Sequence, residues 1–255
     1  VKVQTLIPHR SGLMSPAGVA DAYAWPDDDQ PFVRALMVAT ADGAARSPKG
    51  LSGGISSAGD RLVFGTVRGL SDVILVGAQT VRSEQYGPQR ERPELAARRE
   101  QAGQAPTPRI AIVTRSGELD VDAPLFTESQ QAPLIFAPRN LPEAVRARLD
   151  EVAEVVTFAD DTVPLPSVVE HLSRLQLHRI VCEGGPSLLG EIASCGLLNE
   201  VCLTVTPLLA GGSYPGQATI PRILAGPALP EAPQDVELVH ILEDGGTLFL
   251  RYALR

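Results

Sequence analysis

Cysteine is scarce in this sequence, with three residues, Cys182, Cys195 and Cys202, among 255. The number is odd, no two are spaced as C-x-x-C, and no histidine completes the spacing of a zinc motif. These absences argue against a disulfide scaffold and against a structural metal site. We therefore expect three reduced thiols in the core of a cytoplasmic protein that binds no metal.

Excess basic charge and long apolar runs are also missing. The formal net charge of −8 argues against nucleic acid or an anionic membrane as a partner, although a few local arginines can still hold an anionic small molecule. No apolar run reaches the length of a membrane span, and the first ten residues lack the apolar centre of a signal peptide. With 44% hydrophobic residues, the chain has enough apolar side chains for a substantial core.

Residues 1–31 differ in character from the rest of the chain. They contain Pro16, Pro26 and three consecutive aspartates at 27–29, and we predict an irregular lead-in. Neither an internal repeat nor a sharp change of composition follows. We therefore predict that residues 32–255 form a single domain.

From residue 32 onward, short apolar runs alternate with amphipathic segments, a pattern typical of a parallel sheet covered by helices. The predicted strands are 32–40, 72–77, 109–114, 133–137, 154–158, 179–182 and 200–207. The predicted helices are 57–70, one or two turns over 78–84, a piece over 93–99 within the long loop 86–108, a helix opened by Asn140 and Pro142, and 165–175 and 188–195. The last segments, 236–243 and 247–254, read as a hairpin across Asp244-Gly245-Gly246. The prediction is an α/β fold with a mixed, mostly parallel sheet and a C-terminal antiparallel hairpin.

The stretch C-E-G-G-P-S-L-L-G, Cys182 to Gly190, connects a predicted strand to a predicted helix. Glycines let a phosphate approach the backbone, a helix N-terminus offers unpaired N–H groups, and Pro186 suits a first helical position. The stretch fits neither the P-loop nor G-x-G-x-x-G, because lysine is missing after the last glycine and Pro186 occupies the second glycine position. A tight turn without a ligand and a phosphate-binding turn remain equally open on this stretch alone.

Two other strand-end turns favour the phosphate interpretation. Thr114-Arg115-Ser116-Gly117 presents a cation beside a hydroxyl, and Gly77-Ala78-Gln79-Thr80 follows the preceding strand. Ligands of open α/β sheets bind beyond the carboxyl ends of the strands, where such turns gather. An arginine with a serine suits a phosphate monoester such as the 2′-phosphate of NADPH.

Five motifs, taken in chain order, resemble one known family. They are A-T-A-D-G at 39–43, L-S-G-G-I-S at 51–56, V-G-A-Q-T-V at 76–81, V-T-R-S at 113–116 and E-G-G-P-S-L-L-G at 183–190. The family is the pyrimidine reductase of riboflavin biosynthesis, the C-terminal half of the bifunctional deaminase–reductase, with a three-layer dihydrofolate-reductase-like fold. The similarity runs from about Phe32 to the C-terminus, and its most specific part is the last motif.

The resemblance implies that NADPH binds to this chain. The implied diphosphate contacts are Gly185, Pro186, Ser187, Leu188, Leu189 and Gly190, and Gly184 beside them is a further implied cofactor contact. Ser116, helped by Arg115, lies at the 2′-phosphate in this interpretation. The remaining implied cofactor contacts are Ala39, Gly77 and Thr80.

The resemblance also implies a reaction, hydride transfer to the ribosyl carbon of 5-amino-6-(5-phosphoribosylamino)uracil that gives the ribitylamino product. The implied catalytic residues are Glu183, which holds the substrate or helps to move a proton, and Glu84. The implied substrate contacts are Ser52, Arg68 at the ribose phosphate and Asp42 at the border of the pocket. A homodimer is a further implication.

The sequence departs from the family pattern at several places. Family members usually carry lysine where this chain has Leu36, and often an aromatic residue at the place of Gly54. Arg90 and Arg92 are both candidates for a further phosphate-binding arginine of the loop. The deaminase motifs H-A-E and P-C-x-x-C are missing. These departures keep two alternatives open, an NADPH-dependent pterin (dihydrofolate) reductase and a nucleotide-binding protein without catalytic activity.

Overall fold

The computed structural model describes residues 12, 14–159, 161–211 and 220–255. Its nine strands form a single sheet. The strands are β1 (Phe32–Thr40), β2 (Val73–Gly77), β3 (Arg109–Val113), β4 (Leu134–Pro138), β5 (Glu154–Phe158), β6 (Arg179–Cys182), β7 (Glu200–Thr206), β8 (Val236–Asp244) and β9 (Thr247–Leu254). The helices are α1 (Pro16–Ala22), α2 (Ala58–Gly69), α3 (Ala78–Ser83), α4 (Pro93–Gln101), α5 (Pro124–Thr127), α6 (Glu143–Asp150), α7 (Leu165–Arg174) and α8 (Pro186–Ser194).

The strand order is β5-β4-β3-β2-β6-β1-β7-β9-β8. All neighbouring pairs from β5 to β7 are parallel, and β9 and β8 complete the sheet in antiparallel orientation. The two-residue turn between β8 and β9 consists of Gly245 and Gly246, whose φ angles of 57° and 85° suit the tight turns that join hairpin strands. The predicted fold class, a mixed, mostly parallel sheet with a C-terminal antiparallel hairpin, is confirmed.

Alternating residues of the central strands pack against opposite helical layers. On one face, Ala35 of β1 and Leu75 of β2 pack with apolar residues of α7 and α8. On the other face, Leu36 packs with α1, α2 and Leu95 of α4, while Ile74 packs with α3, α5 and α6. The helices therefore form two layers around the sheet, because both faces of a parallel sheet must be covered.

The lead-in predicted as irregular contains a helix. Ser15 caps α1 by accepting a hydrogen bond from the Gly18 N–H at 3.1 Å, and Pro16 occupies the first helical position. Tyr23, which follows α1, is 1% exposed and packs in the core layer. Pro16 was one of the features from which an irregular lead-in was predicted, whereas proline at the first helical position helps a helix begin.

Two smaller expectations were wrong. The α6 helix is capped by Pro142 and begins at Glu143, and Asn140 instead donates a hydrogen bond to Asp161 at 3.1 Å. The three cysteines are free thiols, but only Cys182 and Cys202 are buried; Cys195 is exposed after the last turn of α8. Within the described ranges, no helix is both long and apolar enough to cross a membrane.

Candidate active site

A cavity of about 770 Å³ opens where several parallel strands end. Its wall includes Gly77 at the end of β2, Thr114 after β3 and Glu183 after β6. The middle of β1 forms an apolar part of the wall through Leu36, Met37 and Val38. Because the carboxyl ends of parallel strands lie at one edge of the sheet, turns that are far apart in sequence converge here.

The glycine turn between β6 and α8 lies directly against the turn after β2. Gly184 has a φ of 76°, a left-handed conformation that favours glycine, and its carbonyl accepts a hydrogen bond from the Gly77 N–H at 2.7 Å. A Cβ atom on Gly185 would lie 3.0 Å from Thr80 Oγ1. The two glycines therefore let two backbone turns approach closely, and Gly77, Thr80 and Gly185 all line the cavity.

The N-terminus of α8 carries free hydrogen-bond donors toward the cavity. Gly185 is the N-cap and provides no side chain, and Pro186 follows it at the first helical position. The N–H groups of Ser187 and Leu188 donate no hydrogen bond to any residue that the structure describes, and both residues line the cavity. This helix end is therefore able to bind an anionic group such as a diphosphate.

Several residues of the implied cofactor set do not line the cavity. Leu189 is fully buried in the core, and a Cβ atom on Gly190 would lie 2.0 Å from the Ala225 carbonyl oxygen. Gly184 is buried behind Gly185, and Ala39 is buried in β1, where its carbonyl accepts from Thr206 Oγ1 at 3.3 Å. The structure assigns these four residues packing and backbone roles rather than direct contact with the cavity.

Arg115 and Ser116 lie together at the other side of the α8 N-terminus. Both line the cavity, and the Arg115 side chain is 77% exposed. Its guanidinium forms an ion pair of 3.0 Å with Glu191 on α8. The turn after β3 therefore adds a positive charge beside the free N–H groups, partly compensated by one carboxylate.

A buried ionic cluster lies deeper in the cavity, around Glu183. Arg68 on α2 donates to both carboxylate oxygens of Glu183, each at 2.5 Å, and the Tyr86 phenol donates to Oε2. The guanidinium carbon of Arg68 lies 4.7 Å from the Phe64 ring centroid and 5.0 Å from that of Tyr86. Two aromatic rings therefore hold the arginine in the bidentate geometry that a carboxylate prefers.

The charges of this cluster support one another. Burial alone lowers the pKa of Arg68, but the Glu183 carboxylate raises it, and the net shift is upward. Burial, and then the charge of Glu183, raise the pKa of the Tyr86 phenol well above its ordinary value. At neutral pH, Tyr86 is therefore a hydrogen-bond donor and Arg68 a cation.

Glu84 and Ser52 meet at a different part of the wall. The Glu84 carboxylate accepts a hydrogen bond from the Ser52 N–H at 2.7 Å, and both residues line the cavity. Asp42 does not line the cavity: its carboxylate accepts from Thr40 Oγ1 and from the N–H groups of Ala210 and Gly211. These contacts lower the pKa of Asp42 and connect the turn after β1 to the segment after β7.

The positions that depart from the family pattern have local explanations. Leu36 contributes to the apolar wall and packs with α2 behind it. A Cβ atom on Gly54 would lie 2.7 Å from Ser47 Oγ, so a larger residue there requires Ser47 to move. Arg90 pairs with Glu128, Arg92 pairs with Glu94, and neither lines the cavity.

Among the cavity residues that the sequence analysis did not identify, Tyr86 and Arg46 carry polar groups suited to a ligand. Tyr86 lies in a loop that was set aside for its prolines and charges, where a lone aromatic residue was the available signal. Arg46 lies in the polar loop before α2 and had no motif to mark it. In the described part of the chain, no group of three or more His, Cys, Asp or Glu side chains is arranged to hold a metal ion.

Comparisons with known proteins identify the family. The model of the family described as the RibD C-terminal domain matches residues 31–246. The 2,5-diamino-6-ribosylamino-4(3H)-pyrimidinone 5′-phosphate reductase of Archaeoglobus fulgidus is 27% identical over 183 residues, 72% of this chain and 83% of that protein. RibD of Bacillus amyloliquefaciens is 27% identical over 184 residues, 72% of this chain but 47% of that protein.

A solved structure extends the comparison to the fold. The pyrimidine reductase-like protein DIP1392 of Corynebacterium diphtheriae matches with a TM-score of 0.76 and 26% identity, covering 88% of this chain and 92% of that one. The family match covers most of the chain and includes every cavity-lining residue described above. The chain therefore belongs to the RibD C-terminal domain family, the pyrimidine reductases of riboflavin biosynthesis.

Proposed function

We propose that this protein is an NADPH-dependent reductase that reduces the ribosyl carbon of 5-amino-6-(5-phosphoribosylamino)uracil to the ribitylamino product. One observation carries the proposal: a single cavity combines an anion-binding helix end with a buried carboxylate that accepts three hydrogen bonds. The first feature suits a dinucleotide and the second suits a polar ring. Membership of a family of reductases supports the same conclusion.

The cofactor end of the cavity is the wall formed by α8, the turn after β2 and the turn after β3. The free N–H groups of Ser187 and Leu188 are suited to the diphosphate, and Arg115 with Ser116 to the 2′-phosphate. When bound, NADPH supplies the hydride. Gly185 has no side chain and lies close to Thr80, so the backbone between the two phosphate sites is accessible to the cofactor.

The substrate end is the wall that contains Glu183, Arg68 and Ser52. Glu183 is a carboxylate held by three hydrogen bonds, and therefore a fixed acceptor for the N–H groups of a pyrimidine. The Tyr86 hydroxyl donates a hydrogen bond to Glu183 Oε2. This hydroxyl–carboxylate pair is suited to exchanging a proton with the substrate as the ribose ring opens. Glu84 fixes the backbone of Ser52 and so shapes the same wall.

Two other substrates are favoured by particular observations. The Archaeoglobus fulgidus relative is named for the 2,5-diamino pyrimidinone phosphate, which differs from the uracil at the ring. The apolar residues Leu36, Met37 and Val38 on the cavity wall favour an apolar ring system such as that of a pterin. Dihydrofolate is therefore the third substrate to compare.

The test is NADPH oxidation by the purified protein with each of the three substrates, followed by loss of absorbance at 340 nm. We expect turnover with a phosphoribosylaminopyrimidine, and a loss of about 10²–10⁴-fold in Glu183→Gln, which removes the charged acceptor. The matched control is Glu170→Gln, which changes an exposed α7 carboxylate far from the cavity. Turnover with dihydrofolate alone would replace the pyrimidine by the pterin.

NADPH binding without oxidation by any of the three substrates would instead indicate a nucleotide-binding protein without catalytic activity.

The homodimer also remains a proposal. Three side chains of the outer strand β8, Val236, Leu238 and Val239, are 45–47% exposed and offer an apolar surface for a second copy. Sedimentation equilibrium of the full chain measures the oligomeric state directly.

A further inference from the structure

We propose that Arg46 binds the phosphate monoester of the substrate, a role that the family resemblance places on Arg68. The inference rests on the proposed function, because it concerns the substrate end of the same cavity. Arg46 lies in the loop between β1 and α2, is half-buried, and lines the cavity. Two features of the structure support it, the charge balance of the cavity and the hydrogen-bonded loop that carries Arg46. The chemistry of a phosphate monoester supports it as well.

Arg68 is already engaged by another anion. Its Nε and Nη2 atoms bond both oxygens of Glu183, and two aromatic rings hold the guanidinium in that plane. The pair has no net charge, since one guanidinium compensates one carboxylate. A phosphate dianion next to this pair is attracted by the guanidinium of Arg68 and repelled by the carboxylate of Glu183, and the two effects largely cancel. A second cation is therefore needed to bind the phosphate tightly.

The other arginines of the cavity wall are also paired. Arg115 bonds Glu191 at 3.0 Å, and Arg82 donates to the Glu118 carbonyl at 2.5 Å with its carboxylate 4.0 Å away. Arg46 forms no ion pair and no side-chain hydrogen bond with any residue that the structure describes. Within that part of the chain, Arg46 is the arginine of the cavity wall whose charge is uncompensated.

The backbone on both sides of Arg46 is held by hydrogen bonds. The N–H of Ala45 donates to the Pro221 carbonyl at 3.0 Å, and the N–H of Ser47 donates to the Leu51 carbonyl at 3.0 Å. Gly50, with a φ of 84°, closes the turn by donating to the Ser47 carbonyl at 2.8 Å. The backbone that carries Arg46 is therefore hydrogen-bonded on both sides, and the same turn leads directly to Ser52 on the cavity wall.

A guanidinium is well suited to a terminal phosphate. It is always charged and presents parallel N–H groups that match two phosphate oxygens. A ribose 5-phosphate group is a dianion near neutral pH, because its second pKa is about 6. The Ser52 hydroxyl, on the same wall, adds a neutral donor of the kind that completes such sites.

The experiment compares wild type, Arg46→Ala, Arg46→Gln and Arg46→Lys. The matched control is Lys49→Ala, which removes an exposed cation from the same loop outside the cavity wall. Binding of ribose 5-phosphate and of ribose to each full-length protein is measured by titration calorimetry. NADPH binding and the thermal midpoint are measured alongside, and turnover is measured with the phosphorylated substrate and with its dephosphorylated riboside.

We expect Arg46→Ala and Arg46→Gln to weaken ribose 5-phosphate binding roughly 10- to 100-fold, the loss typical of one charged hydrogen-bond partner. KM for the phosphorylated substrate should rise by a similar factor, while the riboside, NADPH and the Lys49→Ala protein are unaffected. Arg46→Lys should restore part of the loss, because it keeps the charge without the fork.

Unchanged ribose 5-phosphate binding in folded Arg46 variants would overturn the inference, as would equal losses for phosphorylated and dephosphorylated substrates. A loss confined to NADPH would place Arg46 at the cofactor instead and would equally refute it. Absence of turnover in the wild-type protein would count against the proposed function alone, because the ribose 5-phosphate titration needs no catalysis.

Discussion

The preference for NADPH over NADH should depend on the turn after β3. We expect the double variant Arg115→Ala/Ser116→Ala to bind NADPH much more weakly and NADH almost unchanged. The reason is that Arg115 and Ser116 together offer the cavity a guanidinium and a hydroxyl suited to the extra phosphate. NADH has only a hydroxyl at that position and loses no charged contact.

The magnitude follows from the exposure of Arg115. A charged hydrogen bond contributes about 1.5–3 kcal/mol. Binding a phosphate requires Arg115 to leave or share Glu191, and an ion pair with a 77% exposed arginine is worth only about 0.2–1 kcal/mol. The difference, about 0.5–2.8 kcal/mol, corresponds to about a 2- to 110-fold weaker NADPH complex.

The assay is titration calorimetry of the protein with each nucleotide. Glu191→Gln is the informative companion, because it releases Arg115 and should tighten NADPH by up to about 5-fold. Raising the salt concentration should reduce the NADPH advantage in wild type and leave the double variant unchanged. Equal losses for NADPH and NADH in the double variant would show that the 2′-phosphate binds elsewhere.

Three further predictions concern buried polar groups. Tyr86→Phe removes one of three donors to the buried Glu183 and should lower the free energy of unfolding by about 1–3 kcal/mol in urea titrations; loss of less than 0.5 kcal/mol would contradict this account. Glu200→Gln leaves Arg34, which has no exposed surface, without its counter-charge and should lower that free energy by about 3–5 kcal/mol, against less than about 1 kcal/mol for the exposed Glu237→Gln. Burial lowers the pKa of His240 in the folded protein, so as the pH falls the imidazole is protonated in the unfolded chain before it is protonated in the folded one. The contribution of neutral His240 to the free energy of unfolding is therefore present above about pH 6.5 and is lost as the pH falls toward the folded-state pKa. Urea midpoints at several pH values, with His240→Gln as the comparison, measure this loss, and an identical slope in both proteins would refute it.

Local patterns were sufficient for most of the secondary structure. The seven strands predicted before the hairpin all appear, because short apolar runs bounded by turn residues are a local signal. The hairpin turn at Gly245-Gly246 was similarly readable from two glycines between two β-rich runs. The α1 helix was missed although Ser15 and Pro16 carry its start signal, because its seven residues are too few for a clear amphipathic period.

The contact partners of the glycine motif, Gly184 to Gly190, could not be predicted from the local sequence. The sequence indicated that the backbone at Gly184 and Gly185 bends or is approached closely, and it left a phosphate and a turn without a ligand equally open. In the structure, Gly190 approaches the Ala225 carbonyl and Gly185 approaches Thr80. Each partner comes from a different segment of the chain, so no spacing rule within the motif identifies it.

The sequence by itself determined the family, the α/β class, the order of the elements and the three strand-end turns, since these depend on side chains close together along the chain. Only the tertiary structure decided which side chains share the cavity. In the Glu183 cluster, Tyr86 and Arg68 lie 97 and 115 positions from Glu183 along the chain. Arg68 pairs with this carboxylate, whereas Arg46 on the same cavity wall has no ion-pair partner among the described residues. The physical reason is that ion pairing depends on distance in space, which the sheet order β2-β6-β1 sets and the linear sequence does not.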